Sequence, residues 1–264
     1  MQAVAMASGQ ESGFVLPPAP GSSDDFEFRF WVPNHEMSMC GHATIGAVWL
    51  LHQAGRISSD EVNIRTASGL VVARIDAADP HHVVVNISQP EGVVETSTDP
   101  ATAKAEICAV LDTTPGELAD LPVLNSRTSR VKTLVPMRSV AALTALAPRF
   151  DQIEALCTRI GSTGLYPYAV VDQQSRRFDA RQFPQSSGYP EDPATGVAAA
   201  ALAFGLLQMG IVERTAVPIV ISQGVAMGRP SAISVSFEAV DAGGGCWVGG
   251  SAELDQAPRV ATAT

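Results

Sequence analysis

Charge is scarce in this chain. Asp, Glu, Lys and Arg make up 17% of its 264 residues, and 27 acids against 17 bases leave a formal net charge of −10. No run of Lys or Arg occurs, so the clustered basic surface that nucleic-acid binding needs is missing. The acidity reads as solubility. Only four cysteines are present, Cys40, Cys108, Cys157 and Cys246, scattered and without a C-x-x-C pair. In a chain of this size they read as reduced thiols of a cytoplasmic protein, not as a disulfide frame. No uninterrupted apolar stretch reaches the about 18 residues of a membrane span. The opening Met1-Gln2-Ala3-Val4-Ala5-Met6 has no basic region of the kind that starts a secretory signal. The glycines at Gly224, Gly228 and Gly249-Gly250 form neither phosphate-loop pattern, so they read as turns and close strand packing. What remains is a chain 46% apolar, enough for one large domain or two ordinary ones.

Two stretches look like copies of each other. The first runs Arg29-Phe30-Trp31-Val32-Pro33, Glu36, Gly41-His42-Ala43-Thr44, then an apolar segment to Gly55. The second runs Arg181-Gln182-Phe183-Pro184, Glu191-Asp192, Pro193-Ala194-Thr195-Gly196, then an apolar segment to Gly210. Each reads strand, Pro-containing turn, acidic residue, apolar helix, terminal Gly. The duplication predicts two similar halves, with two helix N-termini meeting at a cleft that holds Glu36 and Asp192.

Around these motifs the alternation Phe26-Glu27-Phe28-Arg29-Phe30 predicts a half-buried strand. Residues 44–54 predict a helix stopped by Gly55. Strands are expected over 62–66, 70–75 and 82–87, and a polar link over 96–104. Helices are expected over 105–111, 114–119, 140–146 and 150–160. Strands are expected over 131–135, 165–171, 177–183, 217–223 and 232–237, with a closing strand in 243–250. Residues after Ala257 read as a frayed tail. The fold class is α+β: residues 1–100 form an N-terminal half and 101–264 a C-terminal half, with the last strand free to cross back to the first.

Glu36, near a helix start among Met37 and Met39, can take a proton from carbon and return it elsewhere. Burial would raise its pKa and the helix end would lower it. It can equally be a surface carboxylate favoured by the helix dipole. Asp192, before a Pro suited to a first helical position, is an N-cap by type, and its second oxygen leaves room for a substrate contact. The N–H groups of Thr195, Gly196 and Val197 can hold a carboxylate, and Gly41 and Gly196 allow close approach. Cys40, at a helix start, can be a base of the cofactor-free racemase kind. That mechanism needs a second thiol, and the matching place, read as Asp192-Pro193-Ala194, has none. His35, Cys40 and His42 fit no usual zinc spacing, so no metal is expected, and His42 reads as a helix-start residue donating to backbone.

With these residues laid out, the chain resembles the PhzF-like phenazine biosynthesis family, relatives of diaminopimelate epimerase and proline racemase. The resemblance rests on 10–15, 30–46, 164–169, Glu191-Asp192-Pro193-Ala194-Thr195-Gly196, Gln223-Gly224, Met227-Gly228-Arg229-Pro230-Ser231 and Trp247-Val248-Gly249-Gly250. It implies two domains, each a barrel-like, mostly antiparallel sheet around a central helix, with no cofactor and a homodimer. It implies a cofactor-independent isomerase of a small carboxylate substrate, an amino or hydroxy acid, of the trans-2,3-dihydro-3-hydroxyanthranilate isomerase type. Glu36 would move the proton and Asp192 orient the amino group. Gly41, His42, Ser68, Gly69, Thr195, Gly196 and Val197 would bind substrate. No nucleic acid or membrane partner is implied. The family's Ser after Thr-Gly is Val197 here, and the His some members carry near Ser68-Gly69 is absent, both pointing away from the phenazine substrate. Family chains also carry two strands ahead of the piece matching Met1, so the first sheet is expected to expose an edge. An amino-acid epimerase and a non-catalytic binding protein of the same fold are the rival readings.

Overall fold

The computed structural model describes residues 1–9, 11–79, 82–96, 100–238 and 244–254. The tail expected after Ala257, and 97–99 of the expected link, lie outside the described residues. The chain divides into two compact units, one built from Met1–Ser88 with the return at Gly249, the other from Gln89–Val248. No helix among the described residues is long and apolar enough to cross a membrane.

The first unit opens with α1 (Gln2–Ser8), which the sequence did not announce because it has no acid in its first turn and no base in its last. Then come β1 (Ser12–Leu16), β2 (Phe26–Trp31), β3 (Glu36–Met37), α2 (Gly41–Gln53), β4 (Glu61–Thr66), β5 (Gly69–Asp76) and β6 (Val84–Gln89). The sheet order is β1-β2-β4-β5-β6, with β3 pairing β2. Only β2 and β4 run parallel among these pairs. The expected alternation is what drives the sheet: Phe28, Phe30, Val62, Ile64, Ala73 and Ile87 point into the core. α2 lies against β1 and β5 and buries Thr44, Ile45 and Val48. It starts at Gly41, three residues before the expected helix.

The second unit contains β7 (Val93–Thr96), α3 (Pro100–Val110), β8 (Leu124–Arg127), β9 (Val131–Met137), α4 (Val140–Thr144), α5 (Phe150–Arg159), β10 (Gly164–Asp172), β11 (Arg177–Ala180), β12 (Phe183–Pro184), α6 (Gly196–Gln208), β13 (Ile219–Gln223), β14 (Ser231–Phe237) and β15 (Cys246–Gly250). Its strand order is β15-β14-β13-β11-β10-β9-β8-β7, with β12 on β10. β9 runs parallel to β10 and β11 parallel to β13. Two expectations change here. The helix expected over 114–119 is a single 3-10 turn, Pro115–Glu117, because Pro and Gly stop it from propagating. The strand expected over 177–183 breaks at Arg181 and Gln182, where Arg181 turns to bind a carboxylate and a helix end.

α6 is the centre of this unit. Every residue from Ala198 to Leu206 is buried, as expected of a helix apolar on all sides. β7, β8, β9 and β14 pack on it. Its small residues let the strands come close: the Ser126 hydroxyl of β8 donates to the Ala201 carbonyl at 2.8 Å. A methyl group on Gly205 would meet Leu134 Cδ1 of β9 at 2.3 Å. Leu134 and Gly205 are therefore complementary in size. Leu134→Ala is expected to cost about 2–5 kcal/mol in urea unfolding. Gly205→Ala alone also destabilises, but added to Leu134→Ala it recovers part of the loss, a coupling that a double-mutant cycle measures.

Candidate active site

In the first unit the site starts from the hairpin of β2 and β3. Trp31 pairs with Glu36 and Phe30 with Met37, and a turn closes through Val32 N–H to the His35 carbonyl at 3.0 Å. This places Glu36 beside Arg29 on β2. The guanidinium grips the carboxylate at both oxygens, Nε to Oε1 at 2.6 Å and Nη2 to Oε2 at 2.8 Å. Hydrogen bonding from Arg29 holds the Glu36 carboxyl below its ordinary range, against the upward push of desolvation. Sequence reasoning had set burial against the helix end; the dominant influence is a neighbouring guanidinium. Glu36 is thus an ionised carboxylate at neutral pH. About a third of its side chain (31%) is exposed, so a ligand can reach it.

The chain then runs extended through Cys40, the N-cap of α2, which makes no side-chain capping bond to the helix. Ser68 N–H donates to the Ser38 carbonyl at 3.1 Å, which ties the turn at Ser68 and Gly69 to the segment between Glu36 and Gly41. Glu36, Gly41, His42, Ser68 and Gly69 therefore belong to one neighbourhood. His42 does not donate to backbone as expected: its Nε2 lies 3.2 Å from Glu11 Oε2, and both ring nitrogens lie 3.7 Å from Cys40 Sγ.

In the second unit Arg181 and Glu191 repeat the same fork, Nε to Oε1 at 2.9 Å and Nη2 to Oε2 at 2.8 Å. This pair is buried, 11% and 9% exposed. Arg181 Nη1 also donates to the Leu146 carbonyl at 2.8 Å just beyond α4. Glu36 lies five residues before Gly41 and Glu191 five before Gly196. The repeat partner of Glu36 is thus Glu191, and Asp192 is one step further on. By the same count Cys40 corresponds to Thr195, which carries no thiol.

Asp192 is not the N-cap. That position is Thr195, because Asp192 is still held to the strand: it forms a bridge with Gln182, its N–H donating to the Gln182 carbonyl at 3.0 Å. Its carboxylate accepts from the Thr195 hydroxyl and from Ala194 N–H. Gln223 clamps the loop, donating to the Asp192 carbonyl at 2.6 Å and the Thr195 hydroxyl at 3.1 Å, while Tyr166 donates to Gln223 Oε1 at 3.0 Å. Ser231 donates to the Pro193 carbonyl at 2.7 Å. Gly224 has φ +76, and a methyl group there would lie 2.3 Å from the Arg229 carbonyl. Intrahelical bonding of α6 begins at Ala198, whose N–H donates to the Thr195 carbonyl. The N–H groups of Gly196 and Val197 precede it, on a helix with no side-chain cap.

Lys132 of β9 is buried, and its pKa falls to about 8 through desolvation first, then Arg130, with the Asp192 charge acting the other way. Sequence reasoning gave no role to Lys132, Arg29, Arg181, Gln223 or Glu11, the last two of which stand within the pieces that carry the resemblance. The two arginines had a visible signal, since each opens one copy of the repeat. A cavity of about 330 Å³ in this unit lies by the far end of α6, lined by Val94, Leu121, Pro122, Leu124, Gln208 and Met209. It offers no titratable group and is not part of the site.

Each unit is an α+β fold with an acidic residue ahead of a helix start. The phenazine biosynthesis-like (PhzC-PhzF) family model matches residues 1–252, and the chain belongs to that family. Among relatives, an uncharacterized isomerase of Bacillus subtilis, YfhB, is 26% identical, covering 92% of this chain and 81% of its own length. The trans-2,3-dihydro-3-hydroxyanthranilate isomerase of Pseudomonas aeruginosa is 30% identical, covering 84% and 73%. A Bacillus anthracis phenazine biosynthesis protein of the PhzF family shares the fold, with a TM-score of 0.83, 20% identity and coverage of 95% and 85%. Both relatives are named isomerases, and isomerisation is the reaction class they support here.

Two predictions follow from the electrostatics. Arg181→Gln leaves Glu191 buried without its partner and is expected to cost about 3–5 kcal/mol in urea unfolding, whereas Arg29→Gln at the half-exposed fork leaves the midpoint close to native. Because the Asp192 charge holds the Lys132 pKa up, Asp192→Asn is expected to move the Lys132 titration further down, read by NMR of its ε-methylene. The sign for stability follows from the lowered pKa: the cost of burying the ammonium is present below about pH 8 and is relieved as pH rises toward the ordinary Lys range.

Proposed function

We propose that the protein is a cofactor-independent isomerase that moves a proton between carbons of a small amino or hydroxy acid. The observation that carries this reading is the Arg29–Glu36 fork, an ionised, reachable carboxylate locked in one orientation ahead of an uncapped helix start. In the proposed step Glu36 takes a proton from a C–H bond, the electron pair shifts along an adjacent double bond, and the same proton returns to a different carbon. Atoms and charge balance without an added reactant. Arg29 is a positioning residue with a further effect: beside a guanidinium a neutral Glu36 is disfavoured, which promotes release of the proton at the second carbon. A carboxylate with a lowered pKa is a weak base, so the reading requires the substrate C–H to be activated. Holding the substrate carboxylate at helix-start N–H groups supplies such activation. The N–H groups of Gly196 and Val197 are the proposed holders, Asp192 the proposed partner of an amino group, and Gly41, His42, Ser68, Gly69 and Thr195 the proposed lining.

Val197 lacks the hydroxyl of the family's usual Ser, and Ser68-Gly69 lacks a neighbouring His. Both favour a substrate other than that of the Pseudomonas aeruginosa relative. The resemblance also supports a homodimer, and the scattered thiols support a cytoplasmic setting. The test is solvent-deuterium incorporation into a panel of unsaturated amino and hydroxy acids that includes trans-2,3-dihydro-3-hydroxyanthranilate. Native protein is expected to turn over or label one class of compound, with a loss of about 10²-fold or more in Glu36→Gln at unchanged folding. Turnover or labelling that survives Glu36→Gln, or neither turnover nor labelling by native protein on any compound, counts against the proposal.

A further inference from the structure

We propose that the Lys132 ammonium joins the first N–H groups of α6 in binding the acid group of the substrate, and so restricts the protein to anionic substrates, an assignment that rests on the reading of the α6 start as the holder of that group. The backbone sets where Lys132 points. Leu134 of β9 faces Gly205 of α6. Side chains alternate along a strand, so Lys132, two positions earlier, shares that face. Lys132 pairs with Ser126 of β8, whose hydroxyl reaches the Ala201 carbonyl. Going back along β9 from Leu134 to Lys132 thus goes back along α6 from Gly205 to Ala201. One further turn of about 5.4 Å ends at Val197, and the flexible four-carbon stem of a lysine spans such a length.

Two buried polar side chains on this face have no partner among the described residues. Lys132 is 4% exposed, yet it makes no hydrogen bond and no ion pair. Gln182 is 1% exposed, and neither Nε2 nor Oε1 of its amide is hydrogen-bonded. Gly164 connects them. It stands beside Lys132, one step before the Thr133–Leu165 pair, and the place of its missing Cβ lies 2.4 Å from Gln182 Nε2. Gln182 bridges in turn to Asp192, in the loop that opens α6. The electrostatics agree with an anion site. Desolvation, then Arg130, disfavour the Lys132 ammonium, while Asp192 and Cys157 favour it. The electropositive start of α6 disfavours it further. A carboxylate set at the helix start offsets this, because it accepts from the N–H groups and from Nζ together. Gly196 and Val197 are partly exposed, which gives a ligand access. Val197 brings no hydroxyl to this place; Lys132 brings a charged donor. A lone buried ammonium opposes folding, so a lysine kept for a ligand is one whose loss leaves the fold as stable or more so.

The experiment needs no turnover. The full chain, labelled at the lysine ε-carbon, is titrated by NMR in the presence of acetate, L-serine or anthranilate, and of the matching carboxamides. At least one acid is expected to move the Lys132 titration up from about 8, because an adjacent anion favours the ammonium, while its carboxamide leaves it in place. In Lys132→Met the same acid is expected to bind about tenfold or more weakly by calorimetry, with the urea midpoint at or above the native value. The shift is read in native protein, so the test stays decisive even if Lys132→Met folds poorly. No shift with any of the three acids, an equal shift with the carboxamide, or unchanged affinity in Lys132→Met would each overturn the proposal. A structural lysine gives the opposite pattern, a lower midpoint with no acid-dependent shift. An acid-dependent shift in a protein that moves no substrate proton strikes the isomerase reading alone.

Discussion

The arginine–carboxylate fork ahead of a helix start organises both units. A guanidinium holds a carboxylate at two oxygens in one plane, and so fixes the backbone that carries each partner. Arg29 with Glu36 shapes the approach to Gly41, and Arg181 with Glu191 shapes the approach to Gly196. The spacing is the same, but the surroundings differ. Arg181 also satisfies carbonyls at the end of α4, and its pair is buried, where breaking it strands a charge. Arg29 and Glu36 remain partly open to solvent. One fork is therefore closed off from solvent while the other keeps a reachable carboxylate.

In the second unit the residue after the fork, Asp192, carries a second carboxylate. Asp192 is set by backbone pairing to Gln182 and by the Gln223 clamp, so its position does not depend on a helix-capping role. Tyr166, Gln223 and Thr195 form a chain of hydrogen bonds under the loop. The Gln223-Gly224 and Gly228-Arg229-Pro230-Ser231 segments, part of the family resemblance, serve to hold the loop. Gly224 permits the close approach and Ser231 anchors the Pro193 carbonyl.

Much of the fold could be read from periodicity. The alternation in Phe26–Trp31 and the all-apolar Gly196–Gln208 leave little choice of strand or helix. The start of α2 was misjudged because Cys40 makes no side-chain cap and Gly41 carries no helix signal. The same limit misplaced the N-cap of α6: Asp192 before Pro193 is a strong local pattern, but a strand bridge outcompetes it. α1 went unseen for want of any charged boundary residue. In the site, the acids and glycines were visible as motifs, and Glu11 and Gln223 stood within the pieces that carry the resemblance, but the partners of these two, like the place of Lys132, are set only through long-range packing. The downward shift at Glu36 was hidden for the same reason, since its cause is a side chain seven positions away across a hairpin.

The central claim is that Arg29 keeps Glu36 ionised as the working base. The pH dependence of substrate turnover, compared between native protein and Arg29→Gln, addresses it directly. An essential carboxylate loses activity as pH falls through its pKa. In native protein the acidic limb should lie below the ordinary Glu value of 4.5, because Arg29 favours the charged form. In Arg29→Gln the limb should move up toward that value. A limb unmoved by the substitution, or a native limb near neutrality, would contradict the account.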